Sequence, residues 1–317
     1  MEISEIGEIQ KLLESRGYIT DRTIATAVYL AMTLHKPLLV EGPSGVGKTE
    51  IAKVMANALN TTLIRLQCYE GIDANMALYE WNYQRQLLHI KLEERSEKSL
   101  AEKEAAIFSE PFLLQRPLLQ ALRSDRTPVL LIDEIDRSDE AFESFLLEVL
   151  SDWQISIPEI GTISAKTIPH VVATSNRTRE LSDALRRRCL YLWIDYPPFD
   201  KELAIVRSKV PGIDQRLASE ICAFVQLARR KKLQKLPGIA ETLDWAAALT
   251  ALHCSHLDAS TVRETLGAIF KSQDDAQKMK NTFTPQILES LKQLEQQGSN
   301  WTNEMLETVA EKSGRND

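Results

Sequence analysis

The chain has 317 residues, 44% of them hydrophobic and 26% charged, with a formal net charge of −7; this is length enough for two domains with their own cores and the composition of an ordinary globular protein. No stretch approaches the ~20 apolar residues needed to cross a bilayer, the opening MEISEIGEIQKLLESRG is acidic and amphipathic, unlike a signal or transit peptide, and the acidic balance argues against non-specific nucleic-acid binding. Four scattered cysteines (Cys68, Cys189, Cys222, Cys254) form no C-x-x-C pair and read as buried or half-buried thiols of a reducing compartment, so no zinc site is expected and the expected location is the cytoplasm.

Apolar positions Ile3, Ile6, Ile9, Leu12 and Leu13 predict a helix over 2–16 that Gly17 ends. Asp21 can cap a second helix over 22–35, with Ile24, Ala27, Val28 and Ala31 on its apolar face. A short strand at 37–40 then runs into Gly42-Pro43-Ser44-Gly45-Val46-Gly47-Lys48-Thr49, which fills every fixed position of the G-x-x-x-x-G-K-[ST] phosphate loop. Glycines let backbone N–H groups approach a polyphosphate without a Cβ in the way. The helix expected over 48–59 turns its positive end toward the same phosphates. The Lys48 ammonium suits the β- and γ-phosphates, and the Thr49 hydroxyl is a hard oxygen ligand for Mg²⁺. An inert Gly-rich turn is the competing reading; strand, loop and helix in the required order weigh against it.

Residues 62–67 read as the next buried strand. The stretch 70–110 mixes Tyr79, Trp81 and Tyr83 with the charged, helix-prone KLEERSEKSLAEKEAAIF, and is expected to be an insertion projecting from the core with an exposed helix. Residues 111–122 look helical. Val129-Leu130-Leu131-Ile132 followed by Asp133-Glu134 describes a central parallel strand that delivers two carboxylates at its C-terminal end, where ligands of open α/β sheets collect. Asp133 is suited to the Mg²⁺ shell, and Glu134 to orienting and polarising a water that attacks the γ-phosphate. Taken alone this strand could simply end in a surface turn; the phosphate loop upstream supports the stronger reading.

A helix over 139–150 is followed by 154–157 and 162–165 flanking Pro158-Glu159-Ile160-Gly161, a hairpin pattern. Another buried strand, 169–174, ends in Ser175-Asn176, an amide able to orient the attacking water, although Asn after a strand is often only a turn residue. Arg186-Arg187-Arg188 precedes a last strand, 190–194, and Pro197-Pro198 marks a domain boundary near 198. Helices are expected over 200–209, 213–230, 241–256 and 258–271, and 284–317 is polar, a peripheral helix or frayed tail.

In order and spacing, the phosphate loop at 42–49, VLLIDEIDR at 129–137, ATSN at 173–176 and the Arg cluster before Tyr196-Pro197 resemble AAA+ ATPases, and within them the MoxR family. The stretches at 79–88, 145–165, 174–197 and 238–246 are similar to its CoxD-like branch, associated with maturation of carbon monoxide dehydrogenase and related molybdenum hydroxylases. The resemblance covers about residues 15–275. It implies an α/β fold: an αβα nucleotide-binding domain with a five-stranded parallel sheet over 1–198, a small all-helical lid over 199–283, and a polar tail over 284–317. The segment 79–110 corresponds to an insertion and 152–166 to a hairpin that points at a ring's centre.

The resemblance further implies ATP and Mg²⁺ as cofactors, held by Gly42 to Thr49, Glu50 and Asp133, with Thr49 and Asp133 on the metal. It makes Glu134 the catalytic base, Asn176 the first sensor, and Arg188, with Arg187 as runner-up, the finger reaching a neighbouring subunit; a dipole-complementing surface patch is the bland alternative for these arginines. Expected partners are further copies in a hexameric ring, a von Willebrand factor A-domain protein and a metalloenzyme client. One departure is plain: where MoxR proteins place a second-sensor Arg, this sequence reads Gly238-Ile239-Ala240-Glu241, with an acid in that place. An ATP-driven remodelling chaperone is therefore weighed against a nucleotide-gated binding module with incidental hydrolysis and against a DNA-remodelling ATPase.

Overall fold

The computed structural model describes residues 5–93, 99, 102, 106–158, 160–296 and 301–314. The chain divides into two compact units, the first made of Met1–Arg16, Thr20–Gly42 and Lys48–Trp193, the second of Gly17–Ile19, Pro43–Gly47 and Ile194–Asp317.

In the first unit, helices α1 (Ile6–Glu14) and α2 (Arg22–Thr33) lead to β1 (Leu38–Glu41), α3 (Lys48–Ala58) and β2 (Leu63–Gln67). Asp21 caps α2 by accepting from Ile24 N at 3.0 Å. The stretch that follows β2 carries α4 (Ala74–Leu78), β3 (Tyr79–Trp81), α5 (Tyr83–Leu92), a single 3₁₀ turn (Glu110–Phe112) and β4 (Leu113–Gln115). Then come α6 (Pro117–Arg123), β5 (Val129–Asp133), α7 (Glu140–Asp152), the hairpin β6 (Gln154–Ile157) and β7 (Gly161–Ser164), β8 (His170–Ser175), α8 (Asp183–Arg188) and β9 (Leu190–Trp193).

Five strands form one wholly parallel sheet in the order β2-β5-β8-β1-β9. The apolar runs of β1 and β5 are buried along their whole length because neighbours lie on both sides and helices cover both faces. Helix α3 packs on β5 and β8, α6 on β2 and β5, and α2 on β1, β8 and β9. All five strands deliver their C-terminal ends to one edge, and β1, β5 and β8 end there in Glu41, Asp133 and Ser175.

The second unit is helical: α9 (Phe199–Lys209), α10 (Gln215–Ala228), α11 (Ile239–Ala251), α12 (Ala259–Ile269), α13 (Gln273–Lys278), α14 (Thr284–Gln296) and α15 (Asn303–Gly314). Its core is centred on Trp245 and Phe224, whose rings lie 5.1 Å apart. Within it Arg229 and Glu202 are both buried and meet through two bonds of 2.7 Å, with Arg229 stacked on Tyr196 at 4.7 Å; Thr242 and Gln226 fill the remaining carboxylate positions. Full satisfaction of that kind is what a buried charge requires.

Three expectations change. The strand at 62–67 is an edge strand, not a buried one: Ile64 and Leu66 point inward while Arg65 and Gln67 are exposed. Residues 111–122 are not one helix. Pro117 presets the first helical position, so α6 starts there, while Leu113–Gln115 pairs antiparallel with β3. The peripheral helix or frayed tail expected over 284–317 is, in its described residues, α14 and α15, whose Ile287, Leu291, Leu294, Leu306 and Val309 put an apolar stripe into the second core. The charged helix expected within 91–108 falls largely on residues 94–98, 100, 101 and 103–105, outside the described residues; next to it α5 exposes Leu87, Leu88 and Leu92.

Candidate functional site at the carboxyl ends of the central strands

The loop leaving β1 bends through Gly45 (φ +79°) and Gly47 (φ +91°), backbone conformations that L side chains rarely adopt. A Cβ on Gly47 would meet nothing within 4 Å, so its backbone borders open space. Gly45 is also a close-approach glycine inside the second unit: its carbonyl accepts from Ala240 N at 3.2 Å, and a Cβ on Gly238 would stand 2.8 Å from the Gly45 Cα. Glu241, the acid in place of the second-sensor Arg, accepts from Gly238 N at 3.0 Å and so closes the first turn of α11.

Lys48 opens α3 and is 6% exposed. Its ammonium donates to the Gly42 carbonyl (2.8 Å) and to Asn176 Oδ1 (2.7 Å). Burial pulls its pKa below the usual lysine range, against the upward pull of Asp136, Asp133, Glu134 and Glu41. Thr49 Oγ1 donates to Asp133 Oδ1 at 3.0 Å, so two hard oxygens stand side by side at the mouth of the loop.

Glu134 follows Asp133 in the left-handed conformation (φ 55°, ψ 49°), held there by its own N–H donating to Thr174 Oγ1 at 3.0 Å. Thr174 Oγ1 donates in turn to Asp133 Oδ1 at 2.6 Å. Strain in a non-glycine residue at this point aims the Glu134 carboxylate away from the strand and toward Asn176, whose Nδ2 lies 3.4 Å from Glu134 Oε1. Asn176 thus spans Lys48 and Glu134. Behind it Asp136, 2% exposed, accepts from Thr178 N (2.8 Å) and Thr178 Oγ1 (2.7 Å).

The site therefore gathers Lys48, Thr49, Asp133, Glu134 and Asn176 from two strand ends and one helix start. Glu50 lies in the first turn of α3 and pairs with Lys53 at 3.5 Å, Ser44 is exposed, and Val46 is buried. Arg187 and Arg188 stand exposed at the end of α8; among the described residues no hydrogen bond or ion pair joins them to the cluster. Sequence reasoning missed Arg65, Gln67, Thr174, Asp136 and Thr178. For Arg65 and Gln67 the available signal was alternation, two polar residues on one face of a strand adjacent to the Asp133 strand. Cys68 is buried beside Asp133 and its thiol is pushed up to about 12, which removes thiolate chemistry from the neighbourhood.

A parallel sheet with a glycine-rich loop on its central strand, a lysine closing that loop and paired acids on the next strand but one define an AAA+ P-loop fold. Residues 37–189 match the AAA domain of the dynein-related subfamily. Two staphylococcal proteins of uncharacterized function are similar to this chain: one from Staphylococcus haemolyticus, 23% identical across 67% of this chain and 76% of its own length, and one from Staphylococcus epidermidis, 24% identical across 65% and 73%. A mutant of RuvB from Thermotoga maritima is 19% identical, with 89% of this chain and 79% of that one covered and a TM-score of 0.47. Among the described residues no helix is long and apolar enough to cross a membrane.

Proposed function

We propose that the chain is an ATP-hydrolysing AAA+ remodelling ATPase. The observation that carries this reading is the single hydrogen-bonded cluster in which Lys48, Thr49, Asp133, Glu134 and Asn176 converge from segments up to 128 residues apart. The residues fit a magnesium nucleotide. Lys48 is a buried cation with acids arrayed around it, Gly47 borders open space, and Thr49 and Asp133 offer adjacent hard oxygens.

Thr49 and Asp133 hold the metal, whose bound charge offsets the charge of the phosphates. Lys48 carries its ammonium toward the terminal phosphates, and the 43–47 loop presents backbone N–H groups to them. Glu134 accepts a proton from, and orients, a water; Asn176 fixes the direction of both Lys48 and Glu134. Arg188, or Arg187, supplies charge to the site of an adjoining copy in a ring. The stretches at 79–88, 145–165, 174–197 and 238–246 support a finer reading: a MoxR-type chaperone of the CoxD-like kind in the cytoplasm, working with a von Willebrand factor A-domain protein on a molybdenum hydroxylase.

Glu134→Gln separates binding from chemistry. The variant is expected to bind ATP with wild-type affinity and to lose turnover by a factor on the order of 10²–10⁴, the usual contribution of a positioned acid or base. Nucleotide titration beside a phosphate-release assay checks this, and unimpaired hydrolysis rejects the assignment of Glu134.

A further inference from the structure

Both oxygens of the Asp133 carboxylate are taken by protein donors. Oδ1 accepts from Thr49 Oγ1 (3.0 Å) and Thr174 Oγ1 (2.6 Å), while Oδ2 accepts from Arg65 Nε (3.1 Å) and Arg65 Nη2 (2.5 Å). The two partners differ in setting: the Asp133 side chain is 5% exposed and Arg65 is 52% exposed. Arg65 stands on the edge strand β2, in register with Leu131 two residues before Asp133, and leans along the strand to reach it. The same Nη2 also donates to Gln67 Oε1 at 2.6 Å.

We infer that Arg65 is a resident cation at Asp133, a built-in competitor that a divalent metal must displace before Asp133 can ligate it. The inference rests on the nucleotide-binding reading above and adds a regulatory element to it. A guanidinium and a divalent ion seek the same lone pairs, so their occupancy of Oδ2 is mutually opposed. Displacement is feasible because Arg65 is half in solvent and its far side stays hydrated; exposed pairs of this kind are weakly held. The hydroxyls of half-buried Thr49 and buried Thr174 keep the carboxylate in place once Arg65 leaves. Nucleotide binding should therefore need more free Mg²⁺ than the Thr49–Asp133 pair alone demands, and whatever draws Arg65 off β2 primes the site.

The test measures binding of fluorescent ADP to the whole chain against rising free Mg²⁺, and separately in EDTA, for wild type, Arg65→Met and Arg65→Lys. Arg65→Met keeps an apolar stem and removes the charge; it is expected to lower the Mg²⁺ midpoint about tenfold, the scale of one charge-assisted hydrogen bond, and to leave the EDTA affinity unchanged. Arg65→Lys, a point charge without the guanidinium fork, should shift the midpoint the same way by less, which covers a Met variant that fails to fold. As a second readout, the melting temperature without metal should fall in Arg65→Met and its rise on adding Mg²⁺·ADP should exceed that of wild type. Equal or higher Mg²⁺ midpoints in variants that bind ADP overturn the inference alone. Absence of ADP binding by wild type, with and without Mg²⁺, overturns the nucleotide reading and the inference with it.

Discussion

Asp136 lies two residues past Glu134, and the 3₁₀ turn Ile135–Arg137 folds it back beneath the loop that carries Asn176. Its Oδ2 takes both donors of Thr178, while Oδ1 has no hydrogen-bond partner among the described residues. Between them Arg177 is held in the left-handed region (φ 58°), its N–H donating to Ser175 Oγ at 3.1 Å. Asp136 acts through this loop, so it is a positioning residue. Asp136→Ala removes two charge-assisted hydrogen bonds to the exposed Thr178 and should lower stability by about 1–3 kcal/mol, with kcat falling and nucleotide affinity nearly kept. Asp136→Asn, which still offers an oxygen to Thr178, should recover most of the stability in urea unfolding. A variant that loses affinity and keeps kcat would place Asp136 elsewhere in the mechanism. At this scale the legible residues were those whose roles are fixed by neighbours in sequence: Lys48 and Thr49 by the glycines before them, Asp133 and Glu134 by the apolar run they end. Thr174, Asp136 and Thr178 matter only because β5 and β8 are adjacent, and sheet order is not written in local spacing.

Elements built from one periodic signal were legible in the same way, and those shaped by a distant partner were not. The β1–loop–α3 unit and β5 follow from local pattern, whereas β4 exists because β3 lies beside it, and β2 is half exposed because, among the described residues, it pairs with β5 alone. Helix α8 shows the same dependence. It is six residues long, capped by Ser182, and anchored from α7 by Glu143, which is 0% exposed. Glu143 Oε2 accepts from Ser182 N at 2.8 Å and Oε1 pairs with Arg179, whose Nε donates to the Ser138 carbonyl at 2.8 Å. So short a helix has little stability of its own, and this lock fixes where Arg187 and Arg188 project. Glu143→Gln removes the charge facing a partly exposed Arg179 and should destabilise by about 1–3 kcal/mol, less than the breaking of a fully buried pair. Turnover should fall with it while ADP affinity stays level, because among the described residues no hydrogen bond or ion pair joins α8 to Lys48, Thr49 or Asp133. Urea unfolding beside nucleotide titration tests both halves; a loss of ADP affinity without loss of stability contradicts the anchoring role.

At the scale of the whole molecule the charge distribution is uneven. Lys48 feels four carboxylates, Asp136, Asp133, Glu134 and Glu41, so charge that develops on a terminal phosphate needs a further cation. Arg187 and Arg188 are exposed, and among the described residues no carboxylate pairs with either guanidinium. If these arginines serve an adjoining copy, complementation follows. Arg188→Ala and Lys48→Ala should each be nearly inactive alone. Mixed in equal amounts, they should regain about one competent site in four, the fraction in which an intact Lys48 meets an intact Arg188 across a head-to-tail interface. Activity of this kind requires assembly, so it should vanish on dilution below the association threshold, and sedimentation with and without nucleotide locates that threshold. A finger acting within its own chain gives no recovery at any ratio. Repeating the mixture with Arg187→Ala decides between the neighbours, because the true finger is the one whose alanine variant is inactive alone and regains activity with Lys48→Ala.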